Sequence, residues 1–253
     1  MIWERGLGVW AAEFHRLKGA NGLRWYYYFT KTDGPDVNHR LFVMESRTDS
    51  INGPYGEPKQ LQTDPKNQFY AIDGSVFMHE GKMYFIWAGH PGHVLFISRM
   101  KDPMTLEGER VNIPASGFGC DEVREGPYVI AHDNRIFLTY SACDTGKPDY
   151  KVGYLWADTK SDLMKPVSWR QQELPLLERA DQNGVFGPGH HGFFKSPDGR
   201  EDWILYHANP NSGQGCGRFR SPRAQKFTWN NDGTPDFGEP VRIGTNIAVP
   251  AEK

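Results

Sequence analysis

Residues 71–89 read AIDGSVFMHEGKMYFIWAG and carry the pattern of a β-hairpin. Two apolar and aromatic stretches flank HEGK, a turn sequence in which glycine permits the chain reversal. A polar residue, Asp73, stands near the start of the first stretch. Three other segments repeat this arrangement, at 10–30 with Glu13, at 124–142 with Glu125 and at 187–208 with His190. A degenerate repeat at this spacing predicts a β-propeller whose inner strands begin near a common axis.

The rest of the chain has the same alternation of strands and turns. A further apolar stretch follows each central repeat, HVLFISRM after the second and KVGYLWA after the third. Four strands per repeat match one propeller blade. The nearest approach to a helical pattern, at 161–167, contains Pro166 and predicts a turn or a short helical loop. We therefore expect one all-β domain over residues 1–253.

Composition excludes several classes of partner. The net charge is −2 with basic and acidic residues interspersed, which leaves no basic stripe for nucleic acid or an anionic membrane. No run approaches the length of a transmembrane helix, and the first residues lack a signal-peptide profile. We expect a cytoplasmic protein, or a secreted one whose signal is absent from this sequence. Aromatic residues reach 13%, which suits pleated sheets and the stacking walls of sugar sites.

The three cysteines are Cys120, Cys143 and Cys216, and no two of them form a CxxC pair. Their odd number and wide spacing argue against a disulfide framework and against a zinc site. The sequence therefore predicts free thiols.

The motifs in these repeats, taken in order, resemble those of glycoside hydrolase family 43. The matching segments are WAAEFH, AIDGSVF, EGPYV, GPGHHGF and the C-terminal RAQKFTWNNDGTPDFGEP, so the resemblance covers essentially the whole chain. One departure is Ala12, which replaces the proline of the family's Trp-Ala-Pro-Glu-x-His motif. The resemblance implies a five-bladed β-propeller of the α-L-arabinofuranosidase, β-xylosidase or arabinanase type. With the family's upstream segment lacking, we expect an incomplete first blade, or alternatively four complete blades.

The resemblance also implies an acid and its modulator. Glu125, in the Glu-Gly-Pro motif, would be the general acid, and Asp73 would orient it and raise its pKa, because two like charges resist ionising together. Inverting hydrolysis places the acid and a base ~6.5–9.5 Å apart, which leaves room for the attacking water. The implied activity is exo-acting removal of α-L-arabinofuranosyl or β-D-xylosyl residues from hemicellulose, including xylan, or from arabinan fragments. The implied partner is an arabinose- or xylose-containing oligosaccharide.

The family's general base has no counterpart in the sequence. In the family it is an Asp in an Asp-Pro-type motif upstream of the Trp-Ala-Pro-Glu segment, whereas residues 1–9 read MIWERGLGV and contain no Asp. The Asp64-Pro65 pair is not followed by an apolar strand and predicts a turn. Another carboxylate, a residue from a second subunit or admitted water would then replace the base. The alternatives are a carbohydrate-binding propeller with little or no turnover and a propeller with another function altogether.

The resemblance places His190 on the propeller axis, where many family members bind calcium, often through water. A histidine hydrogen-bonded within the core is the other interpretation of His190. Its neighbour His191 would face away, because adjacent strand residues point to opposite faces. Glu13 is expected to be a buried polar residue behind the site rather than a catalyst. No cofactor is required by the implied chemistry.

Three further residues are candidates for substrate contacts. Trp10 and Trp87 could form the walls of a sugar subsite, or could pack between blades. Arg223 could donate to a sugar hydroxyl or a carboxylate, or form a salt bridge at a blade edge. An open first blade would also expose a sheet edge. We expect either the FTW stretch at 227–229 and the C-terminal strands to complete that blade, or a second copy in a homo-oligomer to cover it.

Overall fold

A computed structural model describes residues 8–120 and 122–252. Within these residues it contains sixteen β-strands and three single-turn 3₁₀ helices, at Asp36–Asn38, Pro166–Ser168 and Asp181–Asn183, and no α-helix. No helix in the described part of the chain combines the length and the apolar character needed to cross a membrane. The chain forms two compact units, one of residues 8–114 with 162–168 and one of residues 115–161 with 169–252. The all-β prediction is confirmed.

The first unit contains two four-stranded antiparallel sheets, each with its strands in sequence order. The first sheet consists of β1 to β4, which run over Val9–Gly19, Gly22–Lys31, Arg40–Glu45 and Lys59–Gln60. The second sheet consists of β5 to β8, which run over Ala71–His79, Lys82–Gly89, Val94–Asp102 and Thr105–Ile113.

The second unit repeats this organisation. The third sheet consists of β9 to β12, which run over Arg124–His132, Arg135–Ala142, Lys151–Asp158 and Arg170–Gln171. The fourth sheet consists of β13 to β16, which run over Phe186–Lys195, Asp202–Asn209, Ser221–Trp229 and Pro235–Asp236. Short fourth strands, only two residues long in three of the sheets, limit how much sheet edge is exposed.

The described residues therefore form four complete four-stranded sheets of the blade type, which agrees with the alternative of four complete blades. An incomplete first blade is not confirmed. The FTW stretch does not complete a first blade, because residues Phe227–Trp229 form the end of β15 in the fourth sheet, where β16 pairs with β15. Beyond β16, the described residues 237–252 contain no strand.

The second strand of each sheet is the most buried one. In β6 the six residues from Tyr84 to Gly89 are all buried, and in β10 the seven residues from Ile136 to Ala142 are. Such uninterrupted burial means that both faces of the strand are covered, which is why the sequence shows continuous apolar runs here rather than alternation. In the first unit the packed residues include Tyr28, Phe85 and Trp87.

Trp87 packs in the core, which was the second of the two interpretations given for it, and does not form the wall of a sugar subsite. Its side chain is fully buried, with its ring 5.8 Å from that of Phe85 and 5.7 Å from that of Phe96. A fully buried ring has no face for a sugar to stack on.

The prediction of free thiols is wrong for two of the three cysteines. Cys120 and Cys143 form a disulfide within the second unit, across a sequence separation of 23 residues. Cys143 directly follows β10, and the loop that leads into β9 returns Cys120 to within 4.9 Å of it, measured between Cα atoms. Cys216 is free and exposed.

A thiol titration is expected to detect one reactive thiol per native, unreduced chain and three after reduction in denaturant, because only Cys216 is free and exposed. The measurement is the absorbance released from an aromatic disulfide reagent, with intact mass as a second readout. The Cys216→Ser variant serves as control and should release nothing before reduction. Three reactive thiols in the unreduced chain would contradict the disulfide.

Candidate active site

Glu125 lies near the start of β9 and is 8% exposed. The pairing of β9 with β10 shifts between Thr139 and Ser141, which marks a bulge beside the Glu-Gly-Pro motif. Gly126 has a φ of +54°, and a Cβ placed there would lie 3.4 Å from the Cα and the ring of His190. The bulge and the glycine therefore let β9 pass close to His190.

Tyr150 is the hydrogen-bond partner that fixes the Glu125 side chain. Its hydroxyl donates to Glu125 Oε1 at 2.9 Å, and both groups are buried. Tyr150 is fully buried just before β11, so its ring is held by packing. A buried, rigid donor holds the carboxyl group in one orientation, which is what directed proton transfer requires.

His207 and Arg220 extend this arrangement. The His207 ring stacks on Tyr150 with ring centres 5.7 Å apart and an angle of 3° between the planes. Arg220 Nη1 lies 3.3 Å from His207 Nε2 and donates to Thr145 Oγ1 at 3.0 Å. Burial, with a smaller contribution from the Arg220 charge, lowers the pKa of His207 to about 3. The neutral ring therefore accepts from Arg220 through Nε2 and carries its proton on Nδ1.

The two adjacent histidines make separate contacts. His190 has a φ of +44°, and its backbone N–H donates to Ser141 Oγ at 2.8 Å. The His190 and His207 rings lie 6.3 Å apart between centres. His191 is buried, and its Nε2 lies 2.7 Å from Thr139 Oγ1. The left-handed backbone at His190 is strained for a residue with a Cβ, and such strain is concentrated at functional sites.

Burial lowers the pKa of His191 to about 3. As pH falls below about 6.5, the unfolded chain protonates this ring while the folded chain does not, so the free energy of unfolding should fall by about 1 kcal/mol per pH unit for each such histidine. Denaturant unfolding between pH 7 and pH 4 measures this slope. His191→Gln should reduce this slope, and a slope unchanged by the substitution would contradict the assignment.

The described residues do not provide a direct set of metal ligands. Among residues 8–120 and 122–252, no three His, Cys, Asp or Glu side chains form a group that could hold a metal ion. Calcium takes six to eight oxygen ligands. The calcium site near His190 stays a prediction.

In the first unit, Asp73 lies at the bulge of β5, at the position that Gly126 occupies at the bulge of β9 and His190 at that of β13. It is 7% exposed, and its backbone N–H lies 3.3 Å from Thr30 Oγ1. Its φ is +55°, and the pairing of β5 with β6 shifts between Ile72 and Ser75. The next residue must be glycine, because a Cβ on Gly74 would lie 2.2 Å from the Phe85 ring. Asp73 is thus held at a strained bulge like that of His190.

The remaining predicted residues differ in what they can offer a ligand. Glu13 on β1 is half-buried. Trp10 is 39% exposed, with its ring 3.7 Å from that of His39. Arg223 donates to the Gly184 carbonyl at 3.2 Å, while its Nε and Nη2 have no partner among the described residues. Burial lowers the pKa of its guanidinium.

Sequence reasoning missed three residues around Glu125. Tyr150, His207 and Arg220 lie outside the motifs that carry the family resemblance. The only signal for them is their position at strand ends, just before β11, near the end of β14 and just before β15. Only the tertiary contacts link them, through Tyr150, to Glu125.

Comparison with known proteins places the chain in a family. The sequence profile described as Glycosyl hydrolases family 43 matches residues 1–235. An extracellular exo-alpha-(1->5)-L-arabinofuranosidase of Streptomyces avermitilis is 34% identical over 94% of this chain and 51% of its own length. Alpha-L-arabinofuranosidase 43 of Humicola insolens is 33% identical, over 96% of this chain and 54% of its own. The chain thus spans about half the length of these relatives.

A solved structure also supports the assignment to this family. The crystal structure of alpha-L-arabinofuranosidase from Lactobacillus brevis superposes with a TM-score of 0.84 at 31% identity, and the match covers 94% of this chain and 78% of that one. With the profile match over residues 1–235, this similarity shows that the chain belongs to glycosyl hydrolases family 43, a family of glycosidases.

Proposed function

We propose that this protein is an exo-acting glycosidase that removes terminal α-L-arabinofuranosyl residues, with Glu125 as general acid. The observation that carries the proposal is the geometry at Glu125, a buried carboxyl group that receives a hydrogen bond from the buried Tyr150. Arabinofuranosidase is favoured over xylosidase because the relatives at 33–36% identity are arabinofuranosidases. Release of β-D-xylosyl residues, as in xylan degradation, is the second specificity to test.

The proposed reaction is a single inverting displacement. The Glu125 carboxyl group donates its proton to the glycosidic oxygen as the bond to the anomeric carbon breaks. Water attacks that carbon from the opposite face and loses a proton to a base. Asp73 would raise the pKa of Glu125 and orient it. A second carboxylate of this chain, a residue from a partner subunit or bulk water would take the proton from the attacking water.

Three side chains would orient the sugar. Arg220 lies in hydrogen-bond contact with His207, whose ring stacks on Tyr150, the donor to Glu125. Trp10 offers a partly exposed ring, and Arg223 offers Nε and Nη2 groups that have no partner among the described residues. Arginine and aromatic side chains are well suited to bind sugar hydroxyls and sugar C–H faces.

A carbohydrate-binding protein with little turnover is the second candidate. It applies if no carboxylate of this chain acts as the general base. Loss of a general base costs on the order of 10²–10⁴-fold in rate. Such a protein would bind arabino-oligosaccharides and release no arabinose.

The deciding experiment follows arabinobiose and 4-nitrophenyl α-L-arabinofuranoside by proton NMR, with the β-D-xyloside as comparison. We expect release of arabinose whose first-formed anomer has the inverted configuration. The retained anomer would contradict the single displacement. Binding of arabinobiose without any hydrolysis would favour the second candidate.

The disulfide bears on location. Disulfides persist in oxidising compartments, and two relatives are named extracellular enzymes. We therefore propose an exported protein rather than a cytoplasmic one. Calcium near His190 and a homo-oligomer remain proposals, for which metal analysis of the purified protein and light scattering are the measurements.

A further inference from the structure

The first unit contains a cavity of about 510 Å³ at the outer strands of its two sheets. Its walls come from Lys59–Gln60, which is β4, from the segment that follows, and from β8. This volume lies in the range of small-molecule sites. None of the residues that line the cavity belongs to the second unit, which contains Glu125.

Three side chains of the cavity wall carry buried polar atoms without a hydrogen-bond partner among residues 8–120 and 122–252. They are Thr63 Oγ1, Trp87 Nε1 and Arg110 Nη1. Thr63 is 2% exposed and Trp87 is fully buried. Buried donors without acceptors are costly and rare in native proteins. Indole and guanidinium groups only donate, so the missing partners are acceptors, and a ligand with several oxygen atoms would supply them.

The Arg110 side chain is held in place before any ligand arrives. Its guanidinium lies 4.1 Å from the ring centre of Phe96 and 5.0 Å from that of Phe69. Asp64, which also lines the cavity, is fixed by the backbone N–H groups of Gln68 and Phe69, each at 3.1 Å. Side chains fixed in this way lose little conformational entropy on binding.

The charges of the wall identify the ligand class. Lys59 and Arg110 are balanced by Asp64 and Glu109, so the lining side chains have no net charge. An anion would find no excess of positive charge there. Apolar side chains, including Leu106, complete the wall. A neutral ligand with oxygen acceptors and C–H surface fits this combination, and a sugar ring has both.

We propose that this cavity is a second carbohydrate-binding site that takes a neutral sugar unit, outside the Glu125 site. Trp87 would contribute its indole N–H edge rather than a stacking face. Sugar binding in this cavity does not require the chain to hydrolyse glycosides. Only the choice of arabinose and xylose oligosaccharides as probes rests on the proposed function.

The indole N–H resonance of Trp87 tests the proposal in the full chain. The resonance is assigned by its loss in the Trp87→Phe variant. Binding is then followed in ¹⁵N spectra of the Glu125→Gln variant, because this variant is not expected to hydrolyse the sugar probes. Arabinobiose and xylobiose are the sugar probes and sodium sulfate is the anionic probe. We expect a saturable shift with at least one sugar and none with sulfate.

Substitutions at the wall give the second test. Thr63→Val should weaken binding about tenfold, the effect of one lost hydrogen bond, while the matched Thr48→Val in an exposed loop should not. If Thr63→Val fails to fold, the exposed Gln60→Ala replaces it and should weaken binding several-fold.

Three results would overturn the proposal. The first is a Trp87 resonance that stays in place with either sugar at about 50 mM. The second is a shift with sulfate alone, which would make the cavity an anion site. The third is sugar affinity unchanged by Thr63→Val and Gln60→Ala. Because the readout is local to the cavity, it is independent of whether the chain hydrolyses arabinosides.

Discussion

Replacement of Glu125 by glutamine is expected to lower kcat for arabinobiose by about 10²- to 10⁴-fold. Glutamine keeps the size of the side chain and an oxygen that accepts from the Tyr150 hydroxyl, but it has no proton to transfer. A sugar leaving group needs that proton, whereas nitrophenolate leaves without it. The loss should therefore be much smaller for 4-nitrophenyl α-L-arabinofuranoside.

Steady-state kinetics on both substrates, across pH, measure this difference. The alkaline limb of the kcat/KM profile, which reports the protonated acid, should disappear in the variant. The control is Glu122→Gln, because Glu122 is an exposed carboxylate in the same unit, 3.2 Å from Lys147 Nζ. An equal loss on the two substrates would indicate a structural disturbance, and no loss would remove Glu125 from the acid role.

Replacement of Gly189 by alanine is expected to cost about 1–3 kcal/mol of unfolding free energy and to lower kcat as well. A Cβ at Gly189 would lie 2.2 Å from Tyr150 Cε1 and 2.5 Å from its Cδ1. The Tyr150 ring is fully buried and stacks against His207, so it cannot move without disturbing its neighbours. A displaced ring would move the Tyr150 hydroxyl away from Glu125 Oε1.

Gly192→Ala provides a matched control on the same strand. The nearest atom to a Cβ at Gly192 is Tyr128 Cε2, at an ordinary contact distance of 3.9 Å. Thermal and urea unfolding give the stability, and kcat for arabinobiose gives the activity. A destabilised Gly189→Ala with unchanged kcat would show that the Tyr150 contact is not needed for catalysis. Equal effects of the two alanines would contradict the steric argument.

Local sequence was enough to predict the hairpins. In HEGK, β5 ends at His79 and β6 begins at Lys82, and Glu80 and Gly81 both have positive φ, at +47° and +73°. Those angles are typical of the tight turns that join twisted strands. A turn depends on the few residues within it, which is why hairpins could be predicted from the repeats, whereas the number of blades was predicted only as an alternative.

The disulfide could not be predicted in this way. Cys120 lies in a loop and Cys143 follows β10, and no spacing rule connects them. Their proximity results from the path of the loop that leads into β9. The burial of Trp87 could not be predicted either, because a sequence cannot show whether an aromatic ring faces a neighbouring sheet or a ligand.

The amino-acid sequence alone determined the strand pattern, the family resemblance and the positions of Asp73, Glu125 and His190 at the starts of first strands. These features follow from short-range periodicity and turn chemistry. Only the tertiary structure decided that Tyr150, His207 and Arg220 form a connected group beside Glu125, and that Thr63 and Arg110 line a cavity with unpaired donors. Contacts between residues far apart in sequence depend on how sheets pack, and no local pattern encodes that packing.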